Sequence, residues 1–223
     1  MAKRILAFYK SIRTYTALGF LLLIASCAVA DLNLSDHIHN YHDGQVAVFT
    51  SRGDCILSIK GEINTQLESL VVHGLDELAA LDCTDRIVLL QSHGGNVSAA
   101  MNIGEHIRHH HMMTHIHGVC DSACGLIFIS GIKRTVSLGT TSEPETELGF
   151  HQLKPAMGLQ QCLNENQINP FLLSEIKFYL RTMLPKESAD AYYSEMMGAP
   201  CKGMEYLNAH FLLDKGIATS VEW

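Results

Sequence analysis

The chain has 223 residues, enough for one sizeable hydrophobic core, and its 47% apolar content is ordinary for a globular protein. The formal charge is −7; without residues 1–30, which hold Lys3, Arg4, Lys10 and Arg13, it is −11, from 12 basic and 23 acidic residues. That balance is a poor electrostatic match for nucleic acid or an anionic membrane surface, both of which recruit positive charge.

The basic residues Lys3 to Arg13 precede an apolar run, Ala17 to Ala30, that is short for a membrane span. This is the layout of a secretory signal over residues 1–30. Ala28-Val29-Ala30 before Asp31 suits a signal peptidase that prefers small residues. Ile24-Ala25-Ser26-Cys27 resembles the bacterial lipobox, with Cys27 as the lipidated residue. An uncleaved anchor helix is the third reading. Either cleavage delivers the protein to a bacterial periplasm, free or held to an envelope membrane by a lipid anchor.

Residues 31–44 read as a polar lead-in and 45–223 as one domain. His37, His39, His42 and Asp43 cluster in the lead-in, which reads as a solvated loop rather than a metal site. Gln45 to Phe49 and Cys55 to Ile59 are predicted strands, split by a turn at Ser51-Arg52-Gly53-Asp54. Leu67, Leu70, Val71, Leu75, Leu78 and Leu81 recur at helical spacing and predict a helix over 65–81. Arg86 to Leu90 is a predicted strand ending in Ser92-His93-Gly94-Gly95, after which a helix runs to about His110. Met113 to Val119 is the next strand. It leads through Cys120-Asp121-Ser122-Ala123-Cys124-Gly125 into an apolar run, the pattern of a sharp turn before a buried helix. Thr135 to Leu138 and Leu148 to His151 are short strands. After Pro170 the chain becomes helical, with an amphipathic stretch from Phe171 to Met183, a second helix over 187–197, and a third over 208–215 that Gly216 ends.

Strands alternating with helices of this length indicate an α/β fold with largely parallel strands, in which ligands bind at the carboxyl ends of strands. Gly94-Gly95, Ser122 and His151 all fall at such ends. A serine hydroxyl needs a base and oxyanion donors to act as a nucleophile. Ser122, at a helix N-terminus, is the candidate nucleophile and His151 the candidate base. The backbone N–H groups of Gly94, Gly95 and Ala123 are candidate oxyanion donors. The stretch lacks the G-x-S-x-G elbow of α/β-hydrolases. His106, His109, His110, His111, His115 and His117 form a second cluster. No acid or cysteine completes metal-ligand spacing there, so it reads as a solvated helix end, and no cofactor is called for.

Besides Cys27 there are six cysteines, an even number that suggests disulfides in an exported chain. Fifteen pairings are possible, of which Cys55–Cys83, Cys120–Cys124 and Cys162–Cys201 are favoured.

From Arg86 to Leu153 the chain resembles the proteolytic subunit of the Clp protease. In that family a strand ends in Ser-Pro-Gly-Gly, matched here by Ser92-His93-Gly94-Gly95. A helix with small residues follows, matched by Val97-Ser98-Ala99-Ala100-Met101, then a turn holding the catalytic serine, which falls on Ser122. A later strand ends in the catalytic histidine and a glutamine, matched by His151-Gln152. The resemblance implies the ClpP/crotonase fold of stacked β-β-α units with a helical C-terminal region. It also implies a peptide or protein substrate, a homo-oligomer, and oxyanion donors on the Gly94-Gly95 pair and Ala123. The family's third catalytic residue, an Asp, would fall around Pro200, where there is none. Glu195 is the nearest upstream acid and the candidate for orienting His151. No P-loop is present, so the expected function is an exported, ATP-independent serine peptidase-like hydrolase with a Ser-His dyad or incomplete triad. A catalytically inactive binding or assembly module is the alternative.

Overall fold

The computed structural model describes residues 37–140, 144–153 and 165–221, so the expected signal, Cys27 and Cys162 lie outside the described residues. The chain begins as a three-stranded antiparallel ribbon of β1 (His37–Tyr41), β2 (Gly44–Ser51) and β3 (Asp54–Gly61). The polar lead-in is therefore an edge strand in part. Its sequence, His-Ile-His-Asn-Tyr, shows no regular apolar alternation, and it is held by its ladder to β2. From β3 the sheet continues in parallel through β4 (Arg86–Ser92), β5 (Met113–Asp121), β6 (Arg134–Val136) and β9 (Ser220–Val221).

The sheet forks at β5. Thr114 and His115 pair with β6, whereas Cys120 and Asp121 pair with β7 (Glu147–Phe150), which in turn pairs antiparallel with β8 (Glu205–Asn208). Between the two branches the β4–β5 register slips. Leu90 opposes Ile116 but Ser92 opposes Cys120, so β5 carries two extra residues, and His117, Gly118 and Val119 bulge into solvent. A bulge of this kind re-aims the end of a strand, here the end that leads to Ser122.

Helices α1 (Thr65–Ala79), α2 (Val97–His109) and α3 (Ala123–Phe128) pack in series beside the sheet. Leu67, Val71, Leu75 and Leu78 give α1 its buried stripe, as the periodicity predicts. α4 (Pro170–Met183), α5 (Lys186–Gly198) and α6 (Ala209–Asp214) form the C-terminal helical region. Asn64, Asn96, Asn169 and Asn208 cap α1, α2, α4 and α6, each accepting from a backbone N–H of the first turn. Ser122 stands at the same position before α3 and makes no capping hydrogen bond.

Every residue of α3 is buried, and carbonyls in and just after it are satisfied by side chains from elsewhere. Tyr179 of α4 donates to the Leu126 carbonyl at 2.8 Å. Arg108 of α2 donates to the carbonyls of Ile129, Ser130 and Met183, closing the C-terminal ends of α3 and α4 with one positive charge. Burial lowers the Arg108 pKa and brings that of Arg134, which donates to Gly131, Gly216 and Ile217, down to about 10. Disulfides join Cys55 of β3 to Cys83 and Cys120 of β5 to Cys124 of α3. Cys201 is also disulfide-bonded; its expected partner, Cys162, is outside the described residues.

Candidate active site

Ser122 has φ 53° and ψ −119°, a conformation that a side chain adopts only under constraint. Three contacts impose it. Its N–H donates to the Gly149 carbonyl on β7 at 2.7 Å, and its own carbonyl accepts from Gly125 at 3.0 Å. The Cys120–Cys124 disulfide then spans the turn on both sides. The strained turn lifts the Ser122 side chain off the helix end rather than letting it cap.

Gly94 lies against this turn. A Cβ at Gly94 would come 2.9 Å from Ser122 Cβ, 3.1 Å from the Ala123 nitrogen and 2.8 Å from the Asp121 carbonyl, and φ is +97°. Only glycine fits. The Gly94 N–H donates to Ser92 Oγ at 3.0 Å, and its carbonyl accepts from Ile63. Gly95 forms a parallel bridge with Ile63 whose hydrogen bonds run through Gly94 and Asn96. In such a bridge the central residue's own N–H points away from the partner strand. The N–H of Gly95 is therefore turned away from Ile63.

His151 follows β7 directly and lines a small pocket together with Ser122 and Ala123. The remaining walls are apolar: Val97, Leu126, Phe150, Leu153, Tyr192 and Met196. Tyr192 packs edge-on to Phe150, and burial drives its phenol pKa well above the usual value. His151 Nδ1 lies 2.6 Å from the Gln152 carbonyl. A carbonyl only accepts, so this contact places the proton on Nδ1 and leaves the lone pair of the neutral ring on Nε2. The Gln152 N–H in turn donates to the Pro200 carbonyl at 3.3 Å. The segment where the resemblance would put an Asp thus does lie beside the histidine, offering a carbonyl to its neighbour. Among the described residues no carboxylate is hydrogen-bonded to His151. Glu195 does not line the cavity, and its charge is felt at Lys215.

One pair at the site escapes sequence reasoning. Asp121 is buried beside Ser122, and its Oδ2 lies 3.0 Å from His93 Nδ1 on the Ser92-His93-Gly94-Gly95 turn. Its Oδ1 has no hydrogen-bond partner and faces Gly149, where a Cβ would come within 2.2 Å. The two residues are 28 apart in sequence, and only the β4–β5 pairing brings them together.

The sequence profile of the Clp protease family matches residues 47–194. The chain belongs to the Clp protease family. The matched span runs from β2 through most of α5 and includes Gly94, Gly95, Ser122 and His151. The fold agrees: a crystal structure of the ClpP protease catalytic domain from Plasmodium falciparum superposes with a TM-score of 0.56 at 18% identity, covering 77% of this chain and 85% of that one. No curated protein matches the sequence significantly. Family membership and fold together support a peptidase-like hydrolase.

Proposed function

We propose that this Clp-family chain is an exported, ATP-independent serine peptidase that works with Ser122 and His151 alone. Ser122 Oγ attacks the peptide carbonyl carbon as its proton passes to His151 Nε2. The carbonyl oxygen becomes an oxyanion held by the N–H groups of Ala123 and Gly95, the glycine whose N–H is turned away from Ile63. Collapse of the intermediate breaks the C–N bond, His151 returns the proton to the leaving amine, and water then hydrolyses the acyl-enzyme by the same two steps. The apolar walls suit an apolar side chain next to the scissile bond. The Gln152 carbonyl takes the orienting role that a carboxylate has in a triad. It fixes the tautomer but supplies no negative charge, so the expected turnover is slow.

One observation carries the reading. Ser122 is held at φ 53° without capping its helix, at a cavity it shares with His151. Backbone strain of about 1–3 kcal/mol persists where the surrounding structure enforces it, and an ordinary capping serine has no need of it. Two disulfides, and the bonded state of Cys201, favour an oxidising compartment such as the periplasm. Among the described residues no helix is long and apolar enough to cross a membrane. Clp-family members are generally oligomeric, and Phe171 and Phe178, exposed one heptad apart on α4, are an apolar face that a second copy would cover.

The absence of a carboxylate at His151, among the described residues, favours a second reading, a binding module with a silent site. A fluorophosphonate probe separates the two. Oxidised wild type labels and Ser122→Ala does not if the peptidase reading holds. Failure of folded, oxidised wild type to label refutes it.

A further inference from the structure

We propose that His37, His39, His73 and Glu77 form a Zn²⁺ site that clamps the edge strand β1 to helix α1. The four residues come from two short patterns. His37 and His39 are two apart on a strand and so share a face, while His73 and Glu77 are one helical turn apart and share another. The fold sets the two faces against each other. His37 Nδ1 lies 3.2 Å from Glu77 Oε2; His73 Nε2 and His39 Nε2 lie 3.1 and 3.8 Å from Glu77 Oε1. The donor atoms of His39, His73 and Glu77 all fall within 4.8 Å of one another. The His39 and His73 rings stand at 71° with centroids 5.4 Å apart, meeting edge to face.

Two arguments favour a metal over a plain hydrogen-bonded cluster. First, one carboxylate is shared among three imidazoles. Glu77 satisfies His37 and His73, and His39 Nε2 is left buried without a hydrogen-bond partner. A buried ring nitrogen facing two other donors at ligand spacing is an uncompensated cost in the apo cluster, and a cation at the centre removes it. Second, the spacing fits. Zn–N distances of about 2.0–2.1 Å in a tetrahedral site put neighbouring ligand atoms roughly 3.4 Å apart. The separations from Glu77 straddle that value, and the donor atoms of His39, His73 and Glu77 lie within 4.8 Å of one another, so the cluster contracts by side-chain rotation when an ion binds.

Imidazole with one carboxylate selects zinc among abundant divalent ions over calcium or magnesium, which prefer oxygen ligands. His39, His73 and Glu77 are the three ligands already grouped, and His37, 3.2 Å from the other oxygen of Glu77, closes the sphere as a fourth by rotating inward, which makes the site structural rather than catalytic. The half-exposed His37 and His73 leave the ion a path in from solvent. None of the four residues lines the Ser122 cavity, so the proposal is independent of the peptidase reading.

The test titrates Zn²⁺ into the full, oxidised chain and follows both affinity and thermal unfolding. Wild type should bind one Zn²⁺ per chain below micromolar. At a hundredfold excess over Kd it should gain about 5–10 °C in Tm. His39→Ala/His73→Ala should bind at least 100-fold more weakly and show no such gain, while unfolding at the wild-type temperature in EDTA. His109→Ala/His110→Ala/His111→Ala, which removes the other histidine cluster, should bind as wild type does. Co²⁺ should give the visible spectrum of a four-coordinate site in wild type and lose it in His39→Ala/His73→Ala. If that variant does not fold, Glu77→Gln decides, with an expected loss of tenfold or more. Wild-type binding weaker than about 10 μM, or equal binding by wild type and the folded ligand variants, overturns the proposal.

Discussion

Gly94→Ala is the sharpest probe of the turn at Ser122. Its new methyl group would lie 2.9 Å from Ser122 Cβ and 2.8 Å from the Asp121 carbonyl, closer than real Cβ atoms approach such neighbours. The residue would also be held at φ +97°. The backbone conformation costs about 1–3 kcal/mol, and the overlap a further 1–3 kcal/mol by analogy with overpacked cores. If the turn stays in place, stability falls by roughly 2–6 kcal/mol, the sum of those two ranges. If the turn yields instead, Ser122 and the neighbouring Gly95 N–H separate by a few tenths of an ångström. Loss of one oxyanion donor lowers reactivity by about 10²–10³-fold. The assay is the rate of fluorophosphonate labelling beside the urea midpoint. Gly74→Ala in α1 is the control. Its Cβ would meet the side-chain ends of Leu57, Val48 and Val46, at 2.7, 3.0 and 3.8 Å, so it should shift the midpoint and leave the labelling rate of folded protein unchanged. Gly94→Ala protein that folds and labels within threefold of wild type refutes the placement of this turn in the catalytic machinery.

Cys55→Ala/Cys83→Ala opens a loop with a sequence separation of 28 and should cost about 3–4 kcal/mol by the loop-entropy relation, read from urea unfolding. Fluorophosphonate labelling of the variant below its unfolding transition should persist, since neither cysteine lines the Ser122 cavity. Burial, with Asp43 and Glu62 nearby, raises the Tyr41 pKa to about 12, and its hydroxyl donates to the Glu62 carbonyl at 2.7 Å. The folded state keeps this proton when the unfolded state has lost it. The contribution is therefore whole below about pH 10 and is lost as pH rises through about 12. Wild type should lose stability across that window more steeply than Tyr41→Phe; parallel urea midpoints for the two would contradict the assignment.

Local patterns made the parallel core and the turn at Ser122 readable. The apolar stripe from Leu67 to Leu78 marks α1, and the small residues from Gly118 to Gly125 before an apolar run mark the turn into α3. His151 was visible as the end of a short apolar strand. What sequence did not disclose depends on partners distant in the chain. β1 has no apolar alternation, and its strand state comes from its ladder to β2. The His93–Asp121 pair exists only because β4 and β5 lie side by side. The same holds for His39 with His73 and Glu77, which no spacing rule joins. The pairing Cys55–Cys83 could be favoured but not deduced, since its geometry is set by where β3 begins relative to the segment after α1.

The fork in the sheet has a consequence for how this chain tolerates change. β7 is fixed by β5 on one side and β8 on the other, and its Gly149 carbonyl holds the Ser122 N–H. Ser122 and His151 are therefore spaced by a ladder of backbone hydrogen bonds, with no loop between them acting as the ruler. The closure cost of the chain between β6 and β7 grows by only about 0.6 kcal/mol per doubling of its length, whereas a one-residue slip in β7 would carry His151 out of register in a single step.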